Sequence, residues 1–284
     1  AMPEDHFYYD FDTTKPPKGS RLSGNASIQE FEGVDDTGYL MLTDALNSQL
    51  GSWILGSPVG KTEVYGFIAN FKMRIGGPGE DLGGTDSPAD GMSFNFADDI
   101  PPNTWQGEEG IGAGVRVCID TWDNGGGEAP AIEIKFGDEI LASKKVIKAD
   151  LLSGFDFVDM TVRMENDGTV DLMFKDEVIF WNVATLSTSY KKSRFGFGAR
   201  TGGANAVHGI DDLRISMITE PPHADEPPAV SIARDDSNNL VVEWTGILQT
   251  ATSVNGPWED INAASPLILK PENLAKQQYA RARQ

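Results

Sequence analysis

The sequence is poor in cysteine and in basic residues, and each shortage excludes a class of protein. A single cysteine, Cys118, rules out an internal disulfide and a cysteine-based zinc site. The 23 lysines and arginines face 43 acidic residues, which leaves a formal net charge of -20. Such a surface repels phosphate backbones and anionic lipids, so we expect no nucleic-acid partner and no membrane partner. The same charge suits divalent cations and uncharged ligands, or simply keeps the protein soluble.

Long hydrophobic runs are also missing. No segment reaches the roughly 20 apolar residues that a transmembrane helix needs, so we expect no membrane insertion. Short segments with a period of two, bounded by glycine, asparagine, aspartate or proline, are present instead. They lie at 7–11, 39–43, 64–75, 91–97, 114–122, 131–136, 157–166, 169–180, 194–200 and 210–218. This pattern, without a βαβ rhythm, predicts an all-β fold, an antiparallel β-sandwich. The one modest helical candidate, 143–152, could equally be a strand.

The proline-rich segment EPPHADEPPAV (220–230) has no periodicity and is predicted to be a linker. We therefore predict a β-sandwich over residues 1–219, a linker over 220–229 and a small β module over 230–284. A module of that size has a marginal core without disulfides. We expect it to lean on its neighbour or on parts of a longer native chain.

The stretch DTWDNGGGEAP (120–130) allows two interpretations. If residues 114–122 form a strand, Asp120 shares a sheet face with Cys118 and Trp122, where an unpaired carboxylate is costly. Calcium binds carboxylate, amide and backbone carbonyl oxygens, and three glycines would let the loop fold back. Oxygen ligands could come from Asp120, the Trp122 carbonyl, Asn124 and Glu128. The alternative is an ordinary turn between two strands.

Two further stretches have the same ambiguity. In SPADGMSFNFA (87–97), the apolar residues share one face of a strand, and Asp90 precedes it at a turn. In FGFGARTGGANAVHGIDDL (195–213), a strand ends in a loop rich in small side chains and backbone donors. Loops of this kind can close over a polar ligand, although most simply join strands.

Together, the three stretches resemble motifs of the legume-type (L-type, concanavalin A-like) lectins, and more closely those of lectin-like domains in bacterial secreted proteins. Those families show Ala-Asp-Gly before an apolar strand, then an Asp-Thr-aromatic-x-Asn metal loop, then Gly-Phe-x-Ala-x-Thr-Gly. Here these motifs lie at 89–91, 120–124 and 196–202, in the same order. The resemblance covers residues 7–219.

The resemblance implies a site for sugar hydroxyls. Asp90 and Asn124 would bond to them, together with a backbone amide near Gly110, and the Ala89–Asp90 peptide would be cis. The rim would be shaped by the loop that contains Gly202, Gly203 and Asn205. Calcium, held by Asp120, the Trp122 carbonyl, Asn124 and Glu128, would fix Asn124 for the ligand.

The chain departs from legume lectins at two metal positions. Cys118 stands where those proteins have a glutamate, and Ala131 where they have a histidine, so we expect calcium and no manganese. Trp105 lies in a polar loop, where it could stack on a sugar or cover a core edge. Trp53 and Trp181 are expected to lie inside strands and in the core.

Catalysis is the main alternative, because the same sandwich also houses glycoside hydrolases, which need two suitably placed carboxylates. The Glu-x-Asp-x-x-Glu strand pattern of the related β-glucanases is absent. Glu108 and Glu109 could in principle act with Asp90. The three histidines are scattered, and His208 is expected in a turn or at the rim. A structural or adhesive module without a sugar site is a third possibility.

We therefore expect a non-catalytic, calcium-assisted module that binds a neutral glycan or polysaccharide. By the same resemblance, we expect a secreted bacterial protein at the cell surface or outside the cell. The small C-terminal module resembles those near the ends of secreted multidomain proteins, so a larger parent protein is expected. Binding at one such shallow site would be weak, and several copies could compensate through avidity.

Overall fold

The computed structural model describes residues 6–76, 88–222, 228–235, 237–271 and 278–283. Its contacts divide the chain into two compact units, Ala1–Pro222 and His223–Gln284. The division falls inside the predicted linker, of which residues 223–227 lie outside the described residues. No helix in the described part of the chain is long and apolar enough to cross a membrane.

The first unit consists mainly of two antiparallel sheets, which confirms the predicted all-β fold. The larger sheet has the order β13 (Glu177–Ala184), β12 (Thr169–Phe174), β11 (Val158–Met164), β6 (Gly66–Gly76), β15 (Val207–Ile218), β4 (Tyr39–Thr43) and β3 (Ser27–Gln29), and β1 (His6–Tyr9) also pairs with β15. The smaller sheet has the order β10 (Glu139–Lys145), β9 (Ala131–Phe136), β8 (Val115–Asp120), β7 (Gly91–Ala97), β14 (Arg194–Arg200), β5 (Leu50–Gly56) and β2 (Ser20–Gly24).

An aromatic cluster joins the two sheets. The alternation in β7 and β14 turns their phenylalanines inward, where they meet those of β6. Phe67 of β6 has its ring centroid 4.6 Å from that of Phe96 and 5.2 Å from that of Phe195. Phe71 lies 4.9 Å from Phe197 in an edge-to-face contact, a favourable arrangement for aromatic pairs. The predicted inward face of strand 91–97 is thereby confirmed.

The opposite face of β7 and β14 is covered by the loop between β7 and β8. Ser93 donates a hydrogen bond to the Gly107 carbonyl (2.6 Å), and Asn95 Oδ1 accepts one from the Ile111 amide (2.9 Å). Gln106 packs on the glycines of β14, and a Cβ built on Gly198 would lie 2.2 Å from Gln106 Cγ. The glycines of this strand therefore admit the loop, which places residues 107–109 near the end of β14.

The hairpin between β11 and β12 turns at a glycine. Gly168 has a φ of +85°, and its amide donates to the Glu165 carbonyl (3.0 Å). The next reversal places Lys175 and Asp176 at positive φ. The ambiguous segment 143–152 is both strand and helix, since β10 runs to Lys145 and one helical turn, α1 (Lys148–Leu151), follows. A short 3-10 turn spans Val34–Asp36.

Two expectations about individual residues were wrong. Trp181, on strand β13 at the sheet edge, is 65% exposed and is not a core residue, whereas Trp53 is fully buried as predicted. His208 is fully buried within β15 and is not a rim residue; its Nδ1 lies 2.6 Å from Thr43 Oγ1. Burial lowers the pKa of His208 to about 3, so the ring is neutral at physiological pH.

The second unit contains two three-stranded sheets. One has the order β16 (Val230–Arg234), β17 (Leu240–Trp244) and β20 (Leu267–Leu269), and the other has the order β19 (Glu259–Asp260), β18 (Ile247–Ala251) and β21 (Tyr279–Arg283). The buried hydrophobic side chains among its described residues are Val242, Leu248 and Ala251. So short a series agrees with the small core expected of a module this size.

The two tryptophans provide a test of the core. Trp53→Ala should lower the free energy of unfolding by about 3–5 kcal/mol, because it removes a ring that contacts Tyr9, Phe11 and Phe197. Trp181→Ala, the matched control, should change it by less than about 0.5 kcal/mol. Urea unfolding followed by circular dichroism measures both. Equal losses in the two variants would contradict this description of the core.

Candidate functional site

Asp90 is the point at which the three motif stretches meet. It precedes β7, whose first residue, Gly91, pairs with Arg200 on one side and with Asp120 on the other. The Asp90 amide donates to the Arg200 carbonyl (2.8 Å), and the Asp90 carbonyl accepts a hydrogen bond from the Thr121 amide (2.9 Å). The Ala89–Asp90 peptide bond is cis, as the resemblance implied. Segments that are far apart along the chain therefore meet at the ends of the three central strands of the smaller sheet, a place that we call the Asp90 corner.

The side chain of Arg200 joins two carboxylates at this corner. Its Nε lies 3.1 Å from Asp90 Oδ2 and 3.1 Å from Glu108 Oε2, and its Nη2 donates to Glu108 Oε1. The Glu108 side chain is only 3% exposed, whereas those of Asp90 and Arg200 are 14% and 46% exposed. Glu108 thus lies beneath the arginine, and Asp90 reaches the surface beside it.

Burial and the Arg200 guanidinium shift the pKa values of Asp90 and Glu108 in opposite directions. Burial raises the pKa of Asp90 above its ordinary value, and the Arg200 guanidinium lowers it in part. The pKa of Glu108 is likewise raised by burial, and Arg200 again opposes the shift. The ionised form of Asp90 is therefore stabilised by the Arg200 guanidinium, and that of Glu108 by a backbone hydrogen bond and the same guanidinium.

The loop after β14 forms a rim beside Asp90. The Thr201 hydroxyl donates to the Leu46 carbonyl (2.6 Å), and Asn205 Nδ2 donates to Asn47 Oδ1 (2.8 Å), so this loop is bonded to residues 46–49. A Cβ built on Gly202 would lie 3.5 Å from Asp90 Oδ2, and one built on Gly203 would meet nothing within 4 Å. Gly202 therefore adjoins Asp90, and Gly203 faces open space.

The loop from Asp123 to Glu128 folds back on itself. Asp123 Oδ1 accepts hydrogen bonds from the amides of Gly125 (2.7 Å) and Gly127 (3.0 Å), while Glu128 accepts them from the amides of Asn124 (2.7 Å) and Gly126 (3.0 Å). These bonds lower the pKa of Asp123. Each carboxylate oxygen has lone pairs left, so the turn chemistry uses only part of the oxygen set.

Asp120, the innermost predicted calcium ligand, is 8% exposed and accepts a hydrogen bond from the Trp122 amide (2.9 Å). Burial, with smaller contributions from the carboxylates of Glu108, Glu109 and Glu128, raises the pKa of Asp120 to about 7. The predicted ligands thus have the right oxygen chemistry for calcium. The described residues contain no group of three or more histidine, cysteine or acidic side chains that could hold a metal. The predicted set is of another kind, because it combines two carboxylates with an amide and a backbone carbonyl.

Two further predicted ligand-binding residues, Gly110 and Trp105, have contacts that do not involve Asp90. The Gly110 amide donates to the Gly107 carbonyl (3.2 Å), within its own loop. Trp105 is 60% exposed and borders a shallow groove of about 560 Å³ along the edge strand β2. Asp90 does not line this groove, which is formed by Pro16, Ser20, Arg21, Leu22, Ser23, Gly24, Asn103 and Trp105.

The ion pairs of Arg200 with Asp90 and Glu108 were not predicted from the sequence, and Glu108 was considered only for a catalytic alternative. Arg200 occupies a variable position of the strand motif, directly before Thr201, and Glu108 is one of two adjacent acids in a loop. The available signal was a lone basic residue at a strand end in an acidic chain. Alternation alone does not pair that residue with a loop about 90 positions away.

Comparisons with known proteins support the fold. No family model and no curated protein sequence matches the chain. Among solved structures, the VIP36 exoplasmic/lumenal domain in a Ca2+/Man-bound form has a TM-score of 0.57 at 16% identity, over 79% of this chain and 94% of its own. Lectin I-B4 from Griffonia simplicifolia, in a metal-free form, has a TM-score of 0.54 at 19% identity, over 74% of this chain and 99% of its own. Peanut lectin with a 9mer peptide has a TM-score of 0.53 at 16% identity, over 76% of this chain and 99% of its own. Identities this low show a common fold only.

The buried carboxyl of Asp120 predicts a pH dependence. Its pKa is about 7 in the folded, metal-free protein and near the ordinary 3.8 when unfolded. The unfolded state therefore loses its proton first, and the free energy of unfolding should fall as the pH rises from about 4 to about 7. The loss attributable to this group is on the order of 1–4 kcal/mol.

Asp120→Asn should remove that component. Urea unfolding of both proteins in EDTA across this pH range measures the difference curve, which subtracts the other acids. A difference that stays constant with pH would show that Asp120 is ionised normally in the folded state.

Proposed function

We propose that the first unit binds a neutral glycan, without catalysis, at the corner formed by Asp90, Arg200 and the loop 201–205. The supporting observation is the convergence of three distant stretches on Asp90 through two backbone hydrogen bonds. The result is an acceptor carboxylate and a donor guanidinium side by side at the surface, next to a rim of small residues. Sugar hydroxyls both donate and accept hydrogen bonds, so they match such a pair.

The charge of the chain supports a neutral ligand. The formal net charge is -20, and Glu108 and Glu109 lie close enough to Asp120 to raise its pKa. Arg200 is already paired with two carboxylates, so it offers little net positive potential to an anion. An acidic polysaccharide would meet repulsion there.

Calcium is part of the proposal. Asp120, the Trp122 carbonyl, Asn124 and Glu128 would hold it, and the excess negative charge around Asp120 is the observation that favours a cation. When bound, a calcium ion supplies a fixed positive charge that holds these oxygens in place. The side chain of Asn124, on an exposed loop, would then be held toward the ligand.

Glycoside hydrolysis is a second candidate because Asp90 and Glu108 share Arg200 and both have a raised pKa. Retaining and inverting mechanisms both require two carboxylates that flank the scissile bond. Glu108 is 3% exposed and lies beneath the guanidinium, which favours binding over hydrolysis. Release of reducing sugar from the polysaccharides below would show the opposite. We also propose, from the resemblance alone, an extracellular location and a larger parent protein.

Asp90→Asn tests the site. Wild-type protein should bind immobilised mannan or galactan, and polygalacturonate, the anionic contrast, should not be bound. The variant should lose at least about tenfold in affinity, because a charged acceptor is replaced by a neutral one. Asp159→Asn, on strand β11 of the other sheet, is the matched control and should bind normally. Affinity electrophoresis measures all three proteins, with melting temperatures as the check on folding. Undiminished binding by Asp90→Asn would exclude this corner.

Calcium binding is tested by thermal unfolding of metal-stripped protein. A ligand that binds only the native state stabilises it, so calcium at ten times its Kd should add about 1.4 kcal/mol. That corresponds to a rise in the melting temperature of the first unit of roughly 3–6 °C. Magnesium and manganese should act less. Asp120→Asn should abolish the rise, and Asp167→Asn, in the hairpin turn before β12, should keep it. No shift in wild-type protein would leave the 123–128 loop as a turn.

A further inference from the structure

Arg200 is held from behind by a buried acid. Glu108 accepts hydrogen bonds from both Nε and Nη2 of the guanidinium, and its side chain is 3% exposed. A carboxylate at that depth needs a partner to remain ionised, and a forked contact with arginine fixes both groups in one geometry. The loop backbone also constrains the arginine stem, since a Cβ built on Gly107 would lie 3.2 Å from Arg200 Cβ. The guanidinium therefore has little freedom to turn away.

The same guanidinium also forms an ion pair with Asp90. Arg200 Nε lies 3.1 Å from Asp90 Oδ2, while Asp90 Oδ1 accepts no hydrogen bond from any described residue. Arg200 Nη1 likewise donates none within the described part of the chain. One acceptor and one donor thus remain available side by side. A carboxylate that is held at one oxygen presents the other in a defined direction.

We infer that Arg200 is the positioning residue of the ligand site: with Glu108 behind it, it orients the Asp90 carboxylate for a sugar hydroxyl without the help of a metal ion. The inference rests on the proposed function. It divides the site into two halves. The half around Asp90 is preorganised by the chain's own cation, and the half around Asn124 depends on the loop 123–128. The ligand class that follows is a neutral sugar with two neighbouring hydroxyls, one donating to Asp90 and one accepting from Arg200.

The test measures affinity for soluble mannan and galactan by affinity electrophoresis, once with calcium and once with EDTA. Arg200→Met should lower affinity about tenfold, by the same factor in both buffers, because the role of Arg200 needs no metal. Arg200→Lys should restore part of the loss, since an ammonium keeps the charge but not the fork. Glu108→Gln should weaken binding severalfold, although it lies beneath the surface. Arg163→Met, a similarly exposed, ion-paired arginine on β11, is the control and should bind like wild type.

A double-mutant cycle separates positioning from direct contact. In the Asp90→Asn background, Arg200→Met should cost clearly less than the tenfold loss in the wild-type background, because the group that it orients is already altered and only its own contact with the second hydroxyl is lost. Weak binding in this background is measured at high polysaccharide concentration. If Arg200→Met fails to fold, Arg200→Lys and Glu108→Gln provide the same comparison.

Several results would overturn the inference. Arg200→Met binding like wild type would leave the proposed function intact and remove the role of Arg200. A tenfold loss in both backgrounds would make Arg200 an independent ligand contact, and a loss seen only with calcium would make it a support for the metal loop. Wild-type protein that binds neither polysaccharide in either buffer would overturn the proposed function, and the inference with it.

Discussion

The register between β7 and its two neighbours determines the whole candidate site. Gly91 pairs with Arg200 and with Asp120, so Asp90 comes to lie between the ends of β14 and β8. A slip of one residue would turn the phenylalanines of β7 outward and their polar neighbours into the core. The aromatic contacts with Phe67 and Phe71 oppose such a slip. The hydrophobic core thus fixes the polar groups at the ends of these three strands.

The loop that covers the outer face of the smaller sheet adds the buried acid to this corner. Its descent onto β14 requires strand glycines, because Gln106 occupies the space that a side chain at 196 or 198 would fill. Ser93 and Asn95 then satisfy loop backbone groups that would otherwise lose water. Glu108 follows directly after this anchored segment, which explains why it lies beneath Arg200. The glycines of β14 and the polar residues of β7 therefore both serve to hold this loop against the sheet.

Alternation predicted the β-sandwich, and the order of the motifs predicted that three distant stretches share one site with Asp90. They could not predict the partners of Arg200, because pairing a strand end with a loop requires the path of that loop in space. The predictions for Trp181 and His208 were wrong for a related reason. Their neighbours indicate a strand or a loop, but exposure depends on whether the strand lies at the sheet edge, as β13 does, or inside, as β15 does. Local pattern determines the element, and position in the sheet determines burial.

Charge pairing explains why Asp120 differs from the other acids nearby. Arg200 is paired with Asp90 and Glu108, and Lys135 with Glu109. Glu128 is compensated by two backbone amides of its own loop. Asp120 has only the Trp122 amide, and no lysine or arginine of the described residues forms an ion pair with it. Asp120 is therefore the buried acid of this group that lacks a cationic partner among the described residues, and its pKa is raised to about 7. The described part of the chain supplies a cation beside Asp90 but none beside Asp120, which is where the proposed calcium ion would supply one.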